Sequence, residues 1–305
     1  MAMSFFQRIE DFLSCLAFSI RRLFGSKPRL ELDAYAATDC GKVRQNNEDS
    51  LFMSKSTPFY AVCDGMGGTD AGEVASAMMV EALEQNLNGE ASARRAGRNT
   101  TVVRAARKVN RDIHKYISEH GLKAMGTTLV SLRLDPLCPA HGIICHAGDS
   151  RAYRVRNGMM ELLTNDHSYA RKVNIDDKYL TPRQRNSLTN AIGIGKKCYL
   201  EQSDVDIHAG DMFILCSDGL YKSIDDNEIL RACMDYAGKS AEELCMRLMQ
   251  LALDAGGRDN VSVVIVKILA LDGIPHTSRW NFKGIEQGER IDIGWHTHLA
   301  TPHTA

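Results

Sequence analysis

The feature that most constrains this chain is a set of apolar runs, each meeting an acidic residue at one end. Phe59 to Cys63 leads into Asp64-Gly65, Gly142 to Gly148 into Asp149-Ser150-Arg151, and Met212 to Ser217 into Asp218-Gly219. Asp259-Asn260 stands directly before the run Val261 to Leu269, and Glu48-Asp49 precedes the short run Leu51 to Met53. Short runs rich in Val, Ile and aromatics predict buried strands. Acids at strand ends can converge at one rim of a sheet. Carboxylates crowded together repel one another and titrate abnormally, and divalent cations relieve that repulsion. An all-oxygen donor set suits hard ions such as Mg²⁺ or Mn²⁺. The pattern therefore predicts a carboxylate-held metal centre with hydrolytic chemistry.

Asp-Gly is also a common two-residue hairpin turn, so a turn is the competing reading of any one pair. Neither Asp64-Gly65 nor Asp218-Gly219 is followed by a second strand, however. Residues 71–87 and 225–234, which come next, have helical composition. Asn157-Gly158 differs: it joins the alternating run 151–156 to 159–163 and is expected to be a true hairpin turn.

Composition narrows the class. With 305 residues and 44% hydrophobic content, the chain can bury one large core or two small ones. A net charge of −1 argues against nucleic-acid binding by bulk electrostatics. The nine cysteines form no CxxC pair. Cys63, Cys145 and Cys216 fall inside apolar strands, where a thiol packs as a small hydrophobe. Reduced thiols and a cytoplasmic location are expected, with no cleavable signal peptide and no transmembrane run. A monomer is the expected state.

Three regions follow along the chain. Residues 1–28 carry Phe5, Ile9, Phe12, Leu16, Ile20 and Leu23 at helical spacing. They predict an amphipathic helix, lying on the inner face of a membrane or a partner, or else capping the main domain. Residues 29–271 read as one α+β domain of antiparallel strands and grouped helices. Within it, Arg104, Arg107, Lys108, Arg111 and Lys115 form a basic stripe, expected as a solvated helix face. Residues 272–305 lack periodicity and are expected to be a flexible tail. His296 and His298 there are too few to define a metal site.

The ordered motifs Gly41-x-Val43-Arg44-Gln45-Asn46-Asn47-Glu48-Asp49-Ser50, Asp64-Gly65-Met66-Gly67-Gly68, Met125-Gly126-Thr127-Thr128, Gly148-Asp149-Ser150-Arg151, Ser217-Asp218-Gly219-Leu220 and Asp259-Asn260-Val261-Ser262 resemble the PPM family. These are the metal-dependent, type-2C protein serine/threonine phosphatases. Met66 and the Met-Gly-Thr-Thr motif are similar to the bacterial branch. The resemblance implies an α-β-β-α sandwich, two antiparallel sheets flanked by helices, with a metal cleft at one end.

It also implies roles. Asp64 would bridge two Mn²⁺ or Mg²⁺ ions, and the Gly65 carbonyl would bind one of them. Glu48, Asp218 and Asp259 would complete the shell, and Asp149 would help hold a weaker third ion. Arg44 would grip the substrate phosphate in two places, and Asp49 would orient the attacking water. A hydroxide bridging the ions would then attack phosphorus in line, with no phosphoenzyme. Gly67 and Gly68 would let backbone approach the metals. Phosphoprotein substrates and a cognate Ser/Thr kinase are the implied partners.

Two places depart from the family. Some members carry a histidine general acid where this chain has Met66, whose thioether cannot donate a proton. Residues 169–190 match the family's variable flap poorly. His167 is expected to make structural hydrogen bonds. Two other functions are compatible with the motifs: a catalytically silent module that binds phosphoproteins, and a hydrolase of small phosphorylated metabolites on the same scaffold.

Overall fold

The computed structural model describes residues 30–54, 57–67, 71–88, 100–135, 138–175, 179–181, 184, 187–196, 198–271 and 289–292. The expected helix over 1–28, Gly68 and most of 272–305 lie outside them.

Two antiparallel sheets form. The first contains β1 (Leu30–Asp39), β7 (Arg151–Arg156), β8 (Met159–Leu162), β10 (Met212–Cys216) and β11 (Val261–Leu271), in the order β1-β11-β10-β7-β8. The second contains β2 (Asp49–Met53), β3 (Phe59–Met66), β5 (Leu129–Asp135), β6 (Cys138–Ala147), β9 (Tyr199–Asp206) and β12 (Glu289–Asp292), in the order β12-β9-β6-β5-β3-β2. The two-residue strand β4 (Gly126–Thr127) pairs with β3 beside that path.

The apolar runs are continuous because both faces of the central strands are covered. Along β3, Tyr60 and Val62 face the other sheet, while Phe59, Ala61 and Cys63 face helices. Along β11, Val264, Val266 and Ile268 meet the inter-sheet core, while Val263 and Ile265 turn outward to a second helix layer. The first layer is α1 (Gly72–Asn88) and α2 (Thr100–His120); the second is α5 (Asp226–Asp235) and α6 (Ala241–Asp254). Short helices α3 (Tyr169–Val173) and α4 (Asp218–Tyr221) come between the two pairs in chain order. The result is the expected α-β-β-α sandwich.

Local signals set several boundaries. Asp225 with Glu228, and Ser240 with Glu243, form capping boxes that start α5 and α6. Asn157 and Gly158 both have positive φ, 52° and 75°, and close the β7–β8 hairpin. On α2, Val102, Val109 and Ile113 are buried while the five basic residues of the stripe are exposed, as a solvated face requires. Cys63, Cys145 and Cys216 are buried in strands. No helix among the described residues is long and apolar enough to cross a membrane.

One element runs against the sequence reading. Residues 289–292, within the span expected to be a flexible tail, pair antiparallel with β9 and extend the second sheet. A four-residue edge strand held through backbone bonds needs no hydrophobic alternation, so periodicity does not mark it.

Candidate metal centre

The strand register builds the centre. β2 and β3 pair with Asp49 opposite Asp64, which puts two acids side by side at one rim. β10 ends at Cys216 opposite Arg151, so Asp218 and Asp149 emerge at the same end of the other sheet. Asp259 stands just before β11, whose Val263 pairs with Cys216.

Hydrogen bonds lock these segments together. The Asp64 N–H donates to Thr128 Oγ1 (2.9 Å), and the Thr128 N–H donates to the Asp64 carbonyl (2.8 Å). Thr128 Oγ1 lies 2.6 Å from Ser150 Oγ, tying the Asp64 strand to the Asp149 loop. Ser217 Oγ donates to Asp49 Oδ2 (2.7 Å), a buried bond that links the two sheets. The Asn260 amide is a clamp: its Oδ1 accepts from the Glu48 N–H, and its Nδ2 donates to the carbonyls of Cys40 and Asn46, each at 2.9 Å.

Two glycines allow the close approach. A Cβ on Gly65 would collide with the Gly72 carbonyl and come within 2.5 Å of the Glu48 carbonyl. Gly148 has φ +106°, and a Cβ there would lie 2.6 Å from the Thr128 methyl. Asp149 follows immediately. Its carbonyl accepts from the Tyr221 hydroxyl (3.0 Å), and the Arg151 guanidinium lies over the Tyr221 ring at 3.7 Å. Arg151 in turn grips Asp166 bidentately, Nη2 to Oδ2 at 2.7 Å and Nε to Oδ1 at 3.0 Å.

The electrostatics are those of an acid cluster short of cations. Desolvation pushes the Asp64 carboxyl well above its ordinary range, and the charges of Asp49, Asp218, Asp149 and Asp259 add to the rise. Burial lifts Asp49 to about 7, against the opposing hydrogen bonds from Ser262 and Ser217. Burial and then Asp218 lift Asp149 to about 7. Two cations reach the cluster. Arg44 Nη2 pairs with Asp259 Oδ2 at 2.9 Å and lies in the fields of Glu48 and Asp218. Lys222 Nζ pairs with Asp218 Oδ2 at 2.6 Å and with Asp149 Oδ2 at 3.8 Å. All donors are oxygens, and negative charge exceeds positive. That set fits hard divalent ions.

All six expected acids, with Arg44 and Gly65, therefore come together at one rim. Arg44 rests on Asp259, whereas its expected partner is a substrate phosphate. Met66 is half-buried at the end of β3. Sequence reasoning missed Lys222, and it quoted Ser217, Thr128 and Asn260 as motif residues without assigning them these bonds. It also missed a buried cluster of His146, His167 and Glu201, whose ligating atoms lie within 4.8 Å of one another. Hydrogen bonds account for that cluster. The Gly148 N–H donates to His167 Nδ1 (3.1 Å), so Nε2 carries the proton and donates to Glu201 Oε2 (3.1 Å). Asn190 Nδ2 also donates to His167 Nδ1 (2.9 Å), and the His146 ring stacks on His167 at 4.7 Å. His167 thus makes the structural bonds expected of it, bracing the loop before Asp149.

Comparison with known proteins agrees with this geometry. A family model described as protein phosphatase 2C matches residues 38–250. The serine/threonine protein phosphatase PstP of Mycobacterium tuberculosis (strain H37Rv) is 34% identical over 247 residues, 78% of this chain but 45% of PstP. The chain thus spans under half the length of that relative. The serine/threonine phosphatase stp of Listeria monocytogenes (strain EGD-e) is 33% identical over 244 residues, 75% of this chain and 93% of stp. Among solved structures, the PstP catalytic domain in complex with two manganese ions superposes with a TM-score of 0.64 at 31% identity, covering 79% of this chain and 100% of that one. PppA of Pseudomonas aeruginosa, described as a key regulatory component of T6SS, gives 0.67 at 28% identity, with 78% of this chain and 98% of that one covered. The matched span runs from before Glu48 to beyond Asp218 and takes in five of the six acids at the rim, Asp259 lying past its end, and the chain belongs to the bacterial protein phosphatase 2C (PPM) family.

Proposed function

We propose that this chain is a metal-dependent protein serine/threonine phosphatase that removes phosphate from phosphoserine and phosphothreonine in proteins, opposing a Ser/Thr kinase. The observation that carries the proposal is the convergence of Glu48, Asp49, Asp64, Asp218 and Asp259 on one rim, where Arg44 pairs with Asp259 and Lys222 with Asp218. Asp64, the Gly65 carbonyl, Glu48, Asp218 and Asp259 are the groups that would hold two Mn²⁺ or Mg²⁺ ions. When bound, the ions supply a water of lowered pKa as nucleophile near neutral pH.

The chain's own groups do the rest. Asp49 accepts a hydrogen bond from the attacking water and orients it; Ser217 fixes that carboxylate at 2.7 Å. Arg44, half-exposed at the cleft mouth, swings from Asp259 onto two phosphate oxygens, for which its planar fork is suited. Its charge offsets the negative charge on the equatorial oxygens as the bond to the serine or threonine oxygen breaks. Met66 donates no proton, so solvent supplies the one that the leaving alkoxide takes up.

The test is turnover of a phosphothreonine peptide beside a sugar phosphate, each with Mn²⁺, Mg²⁺ or EDTA. Peptide hydrolysis that requires metal and exceeds sugar-phosphate hydrolysis is the expected result. Preference for the sugar phosphate would make the protein a metabolite hydrolase. Tight phosphopeptide binding without turnover in any metal would make it a binding module.

A further inference from the structure

We propose that Lys222 is a built-in cation that takes the place of a third metal ion, so that the centre binds two divalent ions and stops there. The proposal rests on the two-ion reading above. Lys222 lies four residues after Asp218, at the C-terminal end of the single turn α4, and its N–H donates to the Asp218 carbonyl (2.9 Å). Helical geometry thus stacks the lysine above the aspartate. Its ammonium sits between Asp218 Oδ2 (2.6 Å) and Asp149 Oδ2 (3.8 Å), the two acids whose convergence would otherwise invite an ion.

An ordinary lysine–aspartate pair one turn apart on a helix surface is a solvated contact. Here the two carboxylates are only 17% and 13% exposed, and Lys222, 40% exposed, reaches them from the solvent side. The neighbourhood also fixes the Asp149 backbone against Tyr221, the residue before Lys222. Tyr221 donates to the Asp149 carbonyl and is covered by Arg151, which is itself held by Asp166. Asp218 keeps its second oxygen for one of the two divalent ions. Lys222 is a positioning residue: it fixes the Asp149–Asp218 pair and touches no reacting atom.

The test counts bound Mn²⁺ by equilibrium dialysis and elemental analysis of the full chain, with folding checked by circular dichroism. Wild type and Lys222→Arg, which keeps the cation, are expected to saturate at two ions. Lys222→Met, which keeps the chain length and drops the charge, is expected to gain a third and weaker ion. Lys222→Met with Asp149→Asn is expected to return to two. Three ions in wild type, or no third ion in folded Lys222→Met, would overturn the Lys222 proposal and leave the two-ion reading standing. Fewer than two ions in wild type would overturn both.

Discussion

The strand β10 carries acids at both ends, and the two ends treat them in opposite ways. Asp211, just before the strand, is fully buried and gripped by Arg156, Nε to Oδ1 at 2.6 Å and Nη2 to Oδ2 at 2.7 Å. Asp206 beside it accepts from both Arg154 (2.8 Å) and Arg156 (2.7 Å), and Arg154 also holds Glu161. There, two arginines on β7 tie the end of β9 to the first sheet and pair with three acids, Asp206, Asp211 and Glu161. About 17 Å away, the length of five strand residues, six acids share Arg44 and Lys222. Arginine–aspartate pairing makes the first end a structural clasp. The deficit of cations at the second end suits it to divalent metal. Carboxylates at strand ends are thus not diagnostic alone; the number of cations built in beside them is.

The comparison can be broken by substitutions at each end. The largest effect belongs to Asp64→Asn, which removes the charge expected to bridge the ions. Phosphatase turnover should fall by at least the roughly 10²–10³-fold that losing one transition-state stabilising group costs, with folding intact. A variant retaining full turnover would contradict the role given to Asp64. Asp211→Ala should do the reverse. It leaves Arg156 with Asp206 alone and should cost about 3 kcal/mol, the low end for breaking a buried pair, while kcat of the folded protein stays near wild type. A loss of kcat with no loss in denaturation midpoint would invalidate the clasp. Arg44→Ala should raise KM roughly 10-fold or more, equivalent to about 1.4 kcal/mol of uniform binding, with little change in kcat. A fall in kcat at constant KM would show that Arg44 acts only in the transition state.

The smallest effects are the pH dependences, and their signs separate the two ends. Asp206 is held at about 2 against an ordinary 3.8, by hydrogen bonds and charge from Arg156 and Arg154 that outweigh its partial burial. A depressed carboxyl stabilises the fold above its unfolded pKa, and that contribution is lost as pH falls from about 4 to about 2. Asp206→Asn should therefore lower Tm at pH 7 more than at pH 2. Asp149 is raised to about 7 from 3.8 in the metal-free protein, chiefly by burial. A raised carboxyl costs stability as pH climbs from about 4 to about 7. Asp149→Asn in EDTA should raise Tm at pH 7 and leave it unchanged at pH 4. Shifts of the same sign in both variants would erase the distinction.

Much of this was legible in the chain. Both faces of β3, β10 and β11 are covered, so their apolar runs stand out and fix where Asp64, Asp218 and Asp259 emerge. The same strand-end pattern marks Glu48, Asp49 and Asp149, and the family motifs add Arg44. What stayed illegible depends on meetings between distant segments. Ser217 reaches Asp49 across the sandwich, and Asn260 clamps a segment more than two hundred residues away. His146, His167 and Glu201 come together only after β6 and β9 pair. Lys222 was hidden for another reason. A lysine near the end of a short helix has the same local signature whether it faces water or sits between two recessed aspartates. β12 left no trace because backbone pairing at a sheet edge asks little of side chains.

The central claim is that the acid-rich end requires divalent metal and the arginine-clasped end does not. The most direct measurement is the Mn²⁺-induced rise in Tm of wild type, Asp64→Asn and Asp206→Asn, each folded in EDTA first. At an Mn²⁺ concentration about 100 times Kd, one site contributes about 2.7 kcal/mol, or roughly 5–10 °C for a domain of this size. Wild type and Asp206→Asn should rise together by at least that much, and Asp64→Asn should not move. An equal rise in Asp64→Asn would contradict the account, because the stabilising metal would then sit somewhere other than the rim that Asp64 shares.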